Sequence, residues 1–468
     1  MPSTPPINLF RGWPSASLHP TPPLISAANT VLSTPSLSAP ALSYGPDEGD
    51  ASLRAEIARW LSAFYNPQQP ITPSRICISG GASQNLACLL QVFSDPLYTK
   101  NVWMVAPTYY LACRIFEDAG FAGRLRGIKE DTEGVDVDQL ERGMEAVEQG
   151  EWWEQMKRGG KGDFEPVRPL KPARPWRKLY RHIIYAVPTF SNPSSKVMSL
   201  RRREELVRLA RKYDALIISD DVYDHLQWPA SPPASTSSHE YPYKALVPRI
   251  VDVDRYLDGG PTNEFGNAVS NGSFSKIAGP GCRVGWAEGT DKLAYGLSQA
   301  GSSRSGGCPS QLTSTFIREM LSTNALQTHI KTVLQPAYSR RYYALVAAVR
   351  EHLGPLGVSM PDVPPNEPNA VDNSSGTIAG GYFLWLQLPP GLRASELAKK
   401  AQEEDNLVIA GGNLFRVVTE DDGPESRRED EDFQGCIRLC FAWEEETMFE
   451  EGVKRLAELV KRELWREC

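Results

Sequence analysis

Residues 183–220 read IIYAVPTFSNPSSKVMSLRRREELVRLARKYDALIISD, and this stretch decides the fold. Ile183-Ile184-Tyr185-Ala186-Val187 is a short unbroken apolar run ended by Pro188, the pattern of a strand buried on both faces. A charged segment over about 199–213 follows, with Leu206, Leu209, Ala210 and Tyr213 falling on one side of a helix. Ala215-Leu216-Ile217-Ile218-Ser219 is then a second buried strand. Strand, helix, strand in this rhythm predicts an α/β fold with a mostly parallel sheet. In such sheets, sites form in the loops beyond the carboxyl ends of the strands, so the polar residues there are the ones to read.

Working outward, Val102-Trp103-Met104-Val105-Ala106 before Pro107 is a further buried strand. Leu53, Ile57, Trp60, Leu61 and Phe64 repeat at helical spacing, with Asp50 or Ser52 able to cap. Gly80-Gly81 leads into another helix face made by Leu86, Leu89, Leu90 and Phe93. Ala268-Val269-Ser270 and Val284-Gly285-Trp286-Ala287 bracket a glycine-containing turn. After about residue 300 the chain becomes more helical, then gives the strands Tyr382–Leu386 and Ile437–Phe441, a pattern for a smaller α+β domain. Residues 1–46 hold ten of the 38 prolines and show neither period, so they read as an extended arm. The charged or Pro/Gly-rich stretches 144–178, 229–266, 361–377 and 419–434 read as polar insertions or surface loops. The expected division is 1–46 as N-terminal arm and small-domain part, 47–300 as the large domain, and 301–468 as the small C-terminal domain.

Composition removes several function classes. The 468 residues carry 50 basic and 57 acidic side chains, net −7, which argues against a general nucleic-acid or anionic-membrane binder. No apolar run approaches the roughly 18 residues of a membrane span, and the start of the chain lacks a signal-peptide pattern, so a cytoplasmic location is expected. Eight scattered cysteines form no CxxC pair, and six histidines form no HExxH, so no metal is expected. Gly279, Gly281 and Gly285 are spaced GxGxxxG, which is not the dinucleotide fingerprint.

The polar residues at the strand ends form a constellation. Ser273-Phe274-Ser275-Lys276 is followed by the turn Gly279-Pro280-Gly281 and by Arg283. Two hydroxyls and a guanidinium around one turn suit a phosphate, and a lysine beside them can form a Schiff base with a phosphorylated aldehyde. Asp220, at a buried strand end, is placed to pair with a protonated pyridine nitrogen, as pyridoxal phosphate requires of an electron sink. Tyr223 and the amide of Asn192 can share the phenolic oxygen of such a cofactor. Ala82 and Ser83 open a helix after Gly80-Gly81 and offer N–H groups to an anion. Tyr109, after Pro107-Thr108, can stack on the ring. Taken singly, each has a plainer reading: a solvated lysine, a capping aspartate, a turn dipeptide, a packed tyrosine.

Together they resemble the class I and II aminotransferases, fold-type-I pyridoxal-phosphate enzymes. The resemblance runs from Gly12 to about Phe441 and is most specific in S-F-S-K-x-x-x-P-G-x-R-x-G-W, Ser273 to Trp286. D-D-V-Y at 220–223, N-P at 192–193, Y-G-P-x-x-G at 44–49 with Leu53-Arg54, G-G-Y-F-L-W-L at 380–386 and I-R-L at 437–439 follow in the family's order. The resemblance implies an aspartate-aminotransferase-like sheet of seven strands flanked by helices. It implies pyridoxal 5'-phosphate on Lys276, with Asp220 and Tyr223 completing the catalytic set. Tyr44 then reaches the cofactor phosphate of a partner subunit in a homodimer with shared sites. Arg438 clamps the substrate α-carboxylate, and Gly12 lines the substrate site with Asn192. The substrates implied are an L-amino acid and a 2-oxo acid, in the broad subgroup that includes 2-aminoadipate, kynurenine and aromatic or branched-chain aminotransferases.

There are departures. The family's N-P-T-G is Asn192-Pro193-Ser194-Ser195, without the turn glycine, and its P-G-x-x-F is Gly411-Gly412-Asn413-Leu414-Phe415. Tyr44, Tyr109, Phe190, Tyr382 and Phe415 are candidates for favouring a bulky apolar or aromatic substrate. Two other readings stay open on the motifs: a lyase using the same lysine and aspartate, and a ligand-sensing domain of the kind fused to DNA-binding modules. The second is disfavoured because family-like sequence begins near Gly12.

Overall fold

The computed structural model describes residues 5–157, 168–232, 241–361, 377–417 and 433–466. Its centre is a seven-stranded sheet: β1 (Ile76–Ser79), β2 (Val102–Ala106), β3 (Leu125–Lys129), β4 (His182–Ala186), β5 (Ala215–Asp220), β6 (Ala268–Ser273) and β7 (Gly285–Glu288). The order across the sheet is β1-β7-β6-β5-β4-β2-β3. β7 runs antiparallel to both neighbours, and the other pairs are parallel. The α/β expectation therefore holds, as does the aspartate-aminotransferase-like arrangement.

The apolar runs lack hydrophobic alternation because both faces are covered. Ile183, Tyr185, Leu216 and Ile218 enter one core, which includes Leu86, Leu89 and Phe93 of the helix Ala82–Phe93. Ile184, Ala186, Ala215 and Ile217 enter the core on the opposite face, with Leu206, Leu209 and Ala210 of the helix Leu200–Lys212. That helix starts where Ser199 accepts the Arg202 N–H, an ordinary N-cap. Asp50 caps the helix Ala51–Tyr65 in the same way, through the Leu53 N–H at 2.7 Å.

The N-terminal expectation needs correction. Residues 1–46 are not simply extended: Thr21–Ser33 and Pro35–Ala41 are helices. Pro22 and Pro23 stand in the first turn, where a missing N–H costs no intrahelical bond, so they start the helix rather than break it. Ala27 and Val31, four residues apart, are buried, and the helix packs on Gln311–Ser322. Ile7–Asn8 pairs in parallel with Leu407–Val408. Two of the supposed insertions also hold regular structure. Val137–Lys157 is a helix, and Ile250–Tyr256 is a helix with Ile250, Val251 and Val253 buried. Periodicity was hidden there by the charged residues on the outer faces. Residues 158–167, 233–240, 362–376 and 418–432 of those stretches lie outside the described residues.

A second sheet places Cys436–Cys440 between Phe383–Gln387 and Ala410–Gly411, all antiparallel. Arg438 sits at its middle, paired across to Trp385 and Ala410. No described helix is long and apolar enough to cross a membrane.

Candidate active site

Every residue assigned from the sequence to catalysis, the cofactor or the substrate carboxylate, except Tyr44, lines one cavity of about 520 Å³. Gly12, Ala82, Ser83, Tyr109, Asn192, Asp220, Tyr223, Ser273, Ser275, Lys276, Arg283 and Arg438 all face it. The topology explains the convergence. β1, β2, β4, β5 and β6 end on the same side of the sheet, and their ends and the segments that follow carry most of these residues, while Gly12 comes from the N-terminal segment and Arg438 from the second sheet. Tyr44 lies elsewhere on the chain and is 90% exposed.

Lys276 follows β6 in a short 3₁₀ turn whose cap, Ser273, accepts the Ser275 N–H. Its Nζ donates to the Gly12 carbonyl at 2.9 Å. Burial in the cavity pushes the amine down to about 8, against the opposing pull of Cys440 and Asp220. Asp220 ends β5 and is 8% exposed. Burial raises its carboxyl to about 6, offset by the Tyr185 hydrogen bond and by Lys276. Tyr185 donates to Oδ2 at 2.9 Å and Asn271 to Oδ1 at 3.3 Å. Asn271 is itself fixed by Asn85, which donates to its Oδ1 at 2.7 Å.

The anion end is built on Gly81, whose φ is +100°. A Cβ there would come within 2.8 Å of Arg283 Nη2, so glycine lets the guanidinium reach the helix start at Ala82. Arg283 donates to the Gly80 carbonyl at 2.7 Å and the Pro280 carbonyl at 3.1 Å. Ser273 and Ser275 hydroxyls are 2.9 Å apart at the same corner. Burial raises Tyr109 to about 12 and also raises Tyr223, so both phenols stay protonated.

Arg438 is 3% exposed. Its Nη1 donates to Asn192 Oδ1 and its Nη2 to the Phe10 carbonyl, each at 2.7 Å. Nε has no partner among the described residues. The guanidinium lies over Phe383 at 4.1 Å and Phe415 at 4.7 Å. Burial lowers its proton affinity, yet a guanidinium keeps its charge. A buried cation with an unused donor, facing a cavity, is arranged to receive an anion.

The departures in sequence have a structural outcome. Ser195 stands where the turn glycine was expected and adopts φ +59°. Its hydroxyl donates to the Phe383 carbonyl at 2.6 Å, which ties the Asn192 turn to the second sheet. Of the aromatics proposed to shape substrate choice, Tyr109 alone lines the cavity. Phe190 and Phe415 are buried, and Tyr382 lies beneath the lysine, donating to the Lys276 carbonyl at 3.1 Å. Phe10, Tyr110 and Phe383 line the cavity instead. Sequence reasoning missed Tyr185, Asn271 and Asn85, although a tyrosine within an aliphatic strand was a usable signal for the first.

The residues fit pyridoxal phosphate. A serine–arginine corner at a helix start suits its phosphate, and a buried carboxylate held by Tyr185 and Asn271 suits a protonated ring nitrogen. A lysine of lowered proton affinity suits its aldehyde. Comparison with known proteins agrees. The family described as aminotransferase class I and II matches residues 15–456. An uncharacterized protein of Saccharomyces cerevisiae is 33% identical, over 97% of each chain. Aromatic-amino-acid aminotransferase 1 of Thermococcus litoralis is 27% identical, over 98% of this chain and 88% of its own. Kynurenine aminotransferase of Pyrococcus horikoshii superposes with a TM-score of 0.71 at 25% identity, over 99% of this chain and 92% of that one. The chain belongs to the class I and II aminotransferases and is a pyridoxal-phosphate-dependent transaminase.

Proposed function

We propose that this transaminase takes its amino group from L-amino acids with bulky apolar or aromatic side chains and passes it to a 2-oxo acid. The observation that carries this is the setting of Arg438, a buried guanidinium over the rings of Phe383 and Phe415 with Nε unused. A carboxylate held there has aromatic surface beside it. The relatives named for aromatic amino acids and kynurenine support the same reading.

In this reading Ser273, Ser275, Arg283 and the N–H groups of Ala82 and Ser83 hold the phosphate, and Asp220 holds the ring nitrogen. Tyr223, Asn192 and Tyr109 border the ring. Bound pyridoxal phosphate supplies an aldehyde that condenses with amines and a ring that accepts the electron pair left when Cα loses its proton. Burial brings Lys276 Nζ down to about 8, so it gives up its own proton far more readily than a free lysine, and in its neutral form it takes the Cα proton as general base. Arg438 and Asn192 orient the α-carboxylate. Gly12 brings its backbone over the site, because a Cβ there would meet Phe383 Cζ at 2.8 Å.

Tyr44, exposed on the surface, is assigned to the cofactor phosphate of a partner in a homodimer. The division at residues 47–300 and 301–468 belongs to the same reading, supported by seven sheet strands within 76–288 and the second sheet within 383–440. Pairing of Ile7–Asn8 with Leu407–Val408 joins residues 1–46 to the C-terminal part. A cytoplasmic location is supported by the described cysteines, all of which are free thiols. The test is a screen of amino donors against 2-oxoglutarate, read as 2-oxo acid formed. Preference for tyrosine, phenylalanine, kynurenine or leucine supports the reading. Preference for aspartate or alanine, or release of ammonia and pyruvate, contradicts it.

A further inference from the structure

Tyr382 is fully buried beside Lys276, yet it does not line the cavity that meets substrate and cofactor. It touches the lysine in two independent ways. Its hydroxyl donates to the Lys276 carbonyl at 3.1 Å and stands 3.2 Å from the Tyr338 hydroxyl, which the helix Gln335–Ala348 supplies. Its ring centroid lies 5.2 Å from Lys276 Nζ, and the Tyr223 centroid lies 5.6 Å from the same atom. The two rings are 5.5 Å apart at 62°, so Nζ and the two phenols form a nearly equilateral triangle.

The local sequence builds this placement. Gly380-Gly381 precede the tyrosine. Gly381 has φ +74°, and a Cβ on Gly380 would collide with the Leu226 carbonyl. The glycine pair lets the chain pass against Leu226, whose carbonyl accepts the Gly381 N–H at 3.0 Å. On the other side the Phe441 N–H donates to the Tyr382 carbonyl at 3.1 Å. The tyrosine is thus delivered to the lysine by a backbone fixed at both flanks. A cation over ring faces is held without using its N–H donors. The amine therefore keeps a donor for the Gly12 carbonyl while its charge rests against two rings. The other ionisable groups acting on it are Cys440 and Asp220, which favour its proton, and Arg438, which opposes it.

We infer that Tyr382 is the positioning residue of Lys276, its hydroxyl fixing the lysine backbone and its ring seating the amine whenever that amine is not bonded to the cofactor. This deepens the reading of Lys276 as the base of amino transfer and rests on it. The hydroxyl acts where the lysine starts and the ring where it ends. Between them they define the place to which a released amine returns before it takes the Cα proton.

The test uses Tyr382→Phe, which removes the hydroxyl and keeps the ring, and Tyr382→Leu, which removes both. In single turnovers of holoenzyme with L-phenylalanine, Tyr382→Phe should slow 2-oxo acid formation about three- to tenfold, the size of one lost hydrogen bond. The half-saturating substrate concentration should not change, because Tyr382 does not meet substrate. The second readout is capture of pyridoxal phosphate by the apo chain, followed by absorbance across pH, whose rate follows the neutral amine. Wild type and Tyr382→Phe should share one midpoint, at about 8. Tyr382→Leu should move it down by about 0.5–1.5 pH units, because the lost ring face no longer favours the charged amine. A turnover rate of Tyr382→Phe within about twofold of wild type, or an unmoved midpoint in Tyr382→Leu, overturns the inference. So does a raised half-saturating concentration, which would put Tyr382 on the substrate. Tyr382→Phe preserves the packing, so its rate decides the inference even where Tyr382→Leu does not fold. Failure of the underlying reading looks different: Lys276→Ala would then keep its turnover, whatever the tyrosine variants do.

Discussion

Lys276 and Gly12 are 264 residues apart in sequence and joined by one hydrogen bond, Nζ to carbonyl at 2.9 Å. That bond closes the cavity, because it brings the N-terminal segment Phe10–Trp13 over the strand ends. The same segment gives its Phe10 carbonyl to Arg438. The two cations that meet substrate and cofactor are thus held at fixed separation by one short piece of backbone.

The setting of Lys276 predicts a stability effect in the apoenzyme. The amine is lowered from 10.5 to about 8. Below pH 8 both folded and unfolded chains carry the proton, and the fold bears the full cost of burying the charge. Between about 8 and 10.5 the unfolded chain holds more protons, so stability rises with pH. Because the amine opens onto the cavity, water screens part of this cost. We expect about 1–2 kcal/mol at pH 7 rather than the full value of the shift. Apo Lys276→Met should therefore melt above wild type at pH 7, and the gap should close toward pH 10. A gap independent of pH would contradict the assignment.

Asp220 and Tyr185 should differ in size of effect. Asp220→Asn removes the charge beside the ring nitrogen and should lower kcat by ~10²–10³, as loss of one preorganised electrostatic contact does. Tyr185→Phe keeps the carboxylate and loses one hydrogen bond to it, so about a tenfold loss is expected. Cofactor capture by the apoenzyme, followed by absorbance, should weaken as pH falls through about 6, where Asp220 takes up its proton.

Ser195 separates backbone strain from hydrogen bonding. At φ +59° a non-glycine residue is held in a disfavoured region, while its hydroxyl bonds to Phe383. Ser195→Ala keeps the strain and loses the bond, costing about 1 kcal/mol. Ser195→Gly loses the bond but relieves the strain, recovering about 0.5–1 kcal/mol. Thermal melts should rank wild type and glycine close together, with alanine lowest.

Tyr44 tests the shared site. With its ring exposed, Tyr44→Ala should leave the melting of an isolated chain nearly unchanged. It should weaken cofactor binding about tenfold if the hydroxyl reaches a partner's phosphate. Light scattering of the wild type should give the mass of two chains, and a monomer with full activity would contradict the shared site.

Much of this was legible in the sequence for physical reasons. Strands buried on both faces need unbroken apolar runs, and β2, β4 and β5 show them plainly. Groups that must meet at strand ends sit just past those runs, which is why Asp220, Lys276 and Asn192 could be picked out. The helix Thr21–Ser33 was not legible, because prolines read as breakers unless the first turn is recognised. Tyr185 and Asn271 were hidden because their task is to fix Asp220 from neighbouring strands, and Asn85 because it fixes Asn271 from the helix Ala82–Phe93, contacts that no spacing rule records. The aromatic wall was misassigned for a related reason. Phe190 and Tyr382 are aromatic residues near the site in sequence, but packing turns them into the core, while Phe10 and Tyr110, neighbours of Gly12 and Tyr109, line the cavity.

The most direct measurement is a single turnover. Holoenzyme is mixed with an excess of L-phenylalanine and no acceptor, and the 2-oxo acid formed per active site is counted for wild type and Lys276→Ala. Wild type should form one equivalent and stop, and the variant should form essentially none. Substantial product from Lys276→Ala, or continued release of ammonia by the wild type, would contradict the assignment of this cavity as a transaminase site built on Lys276.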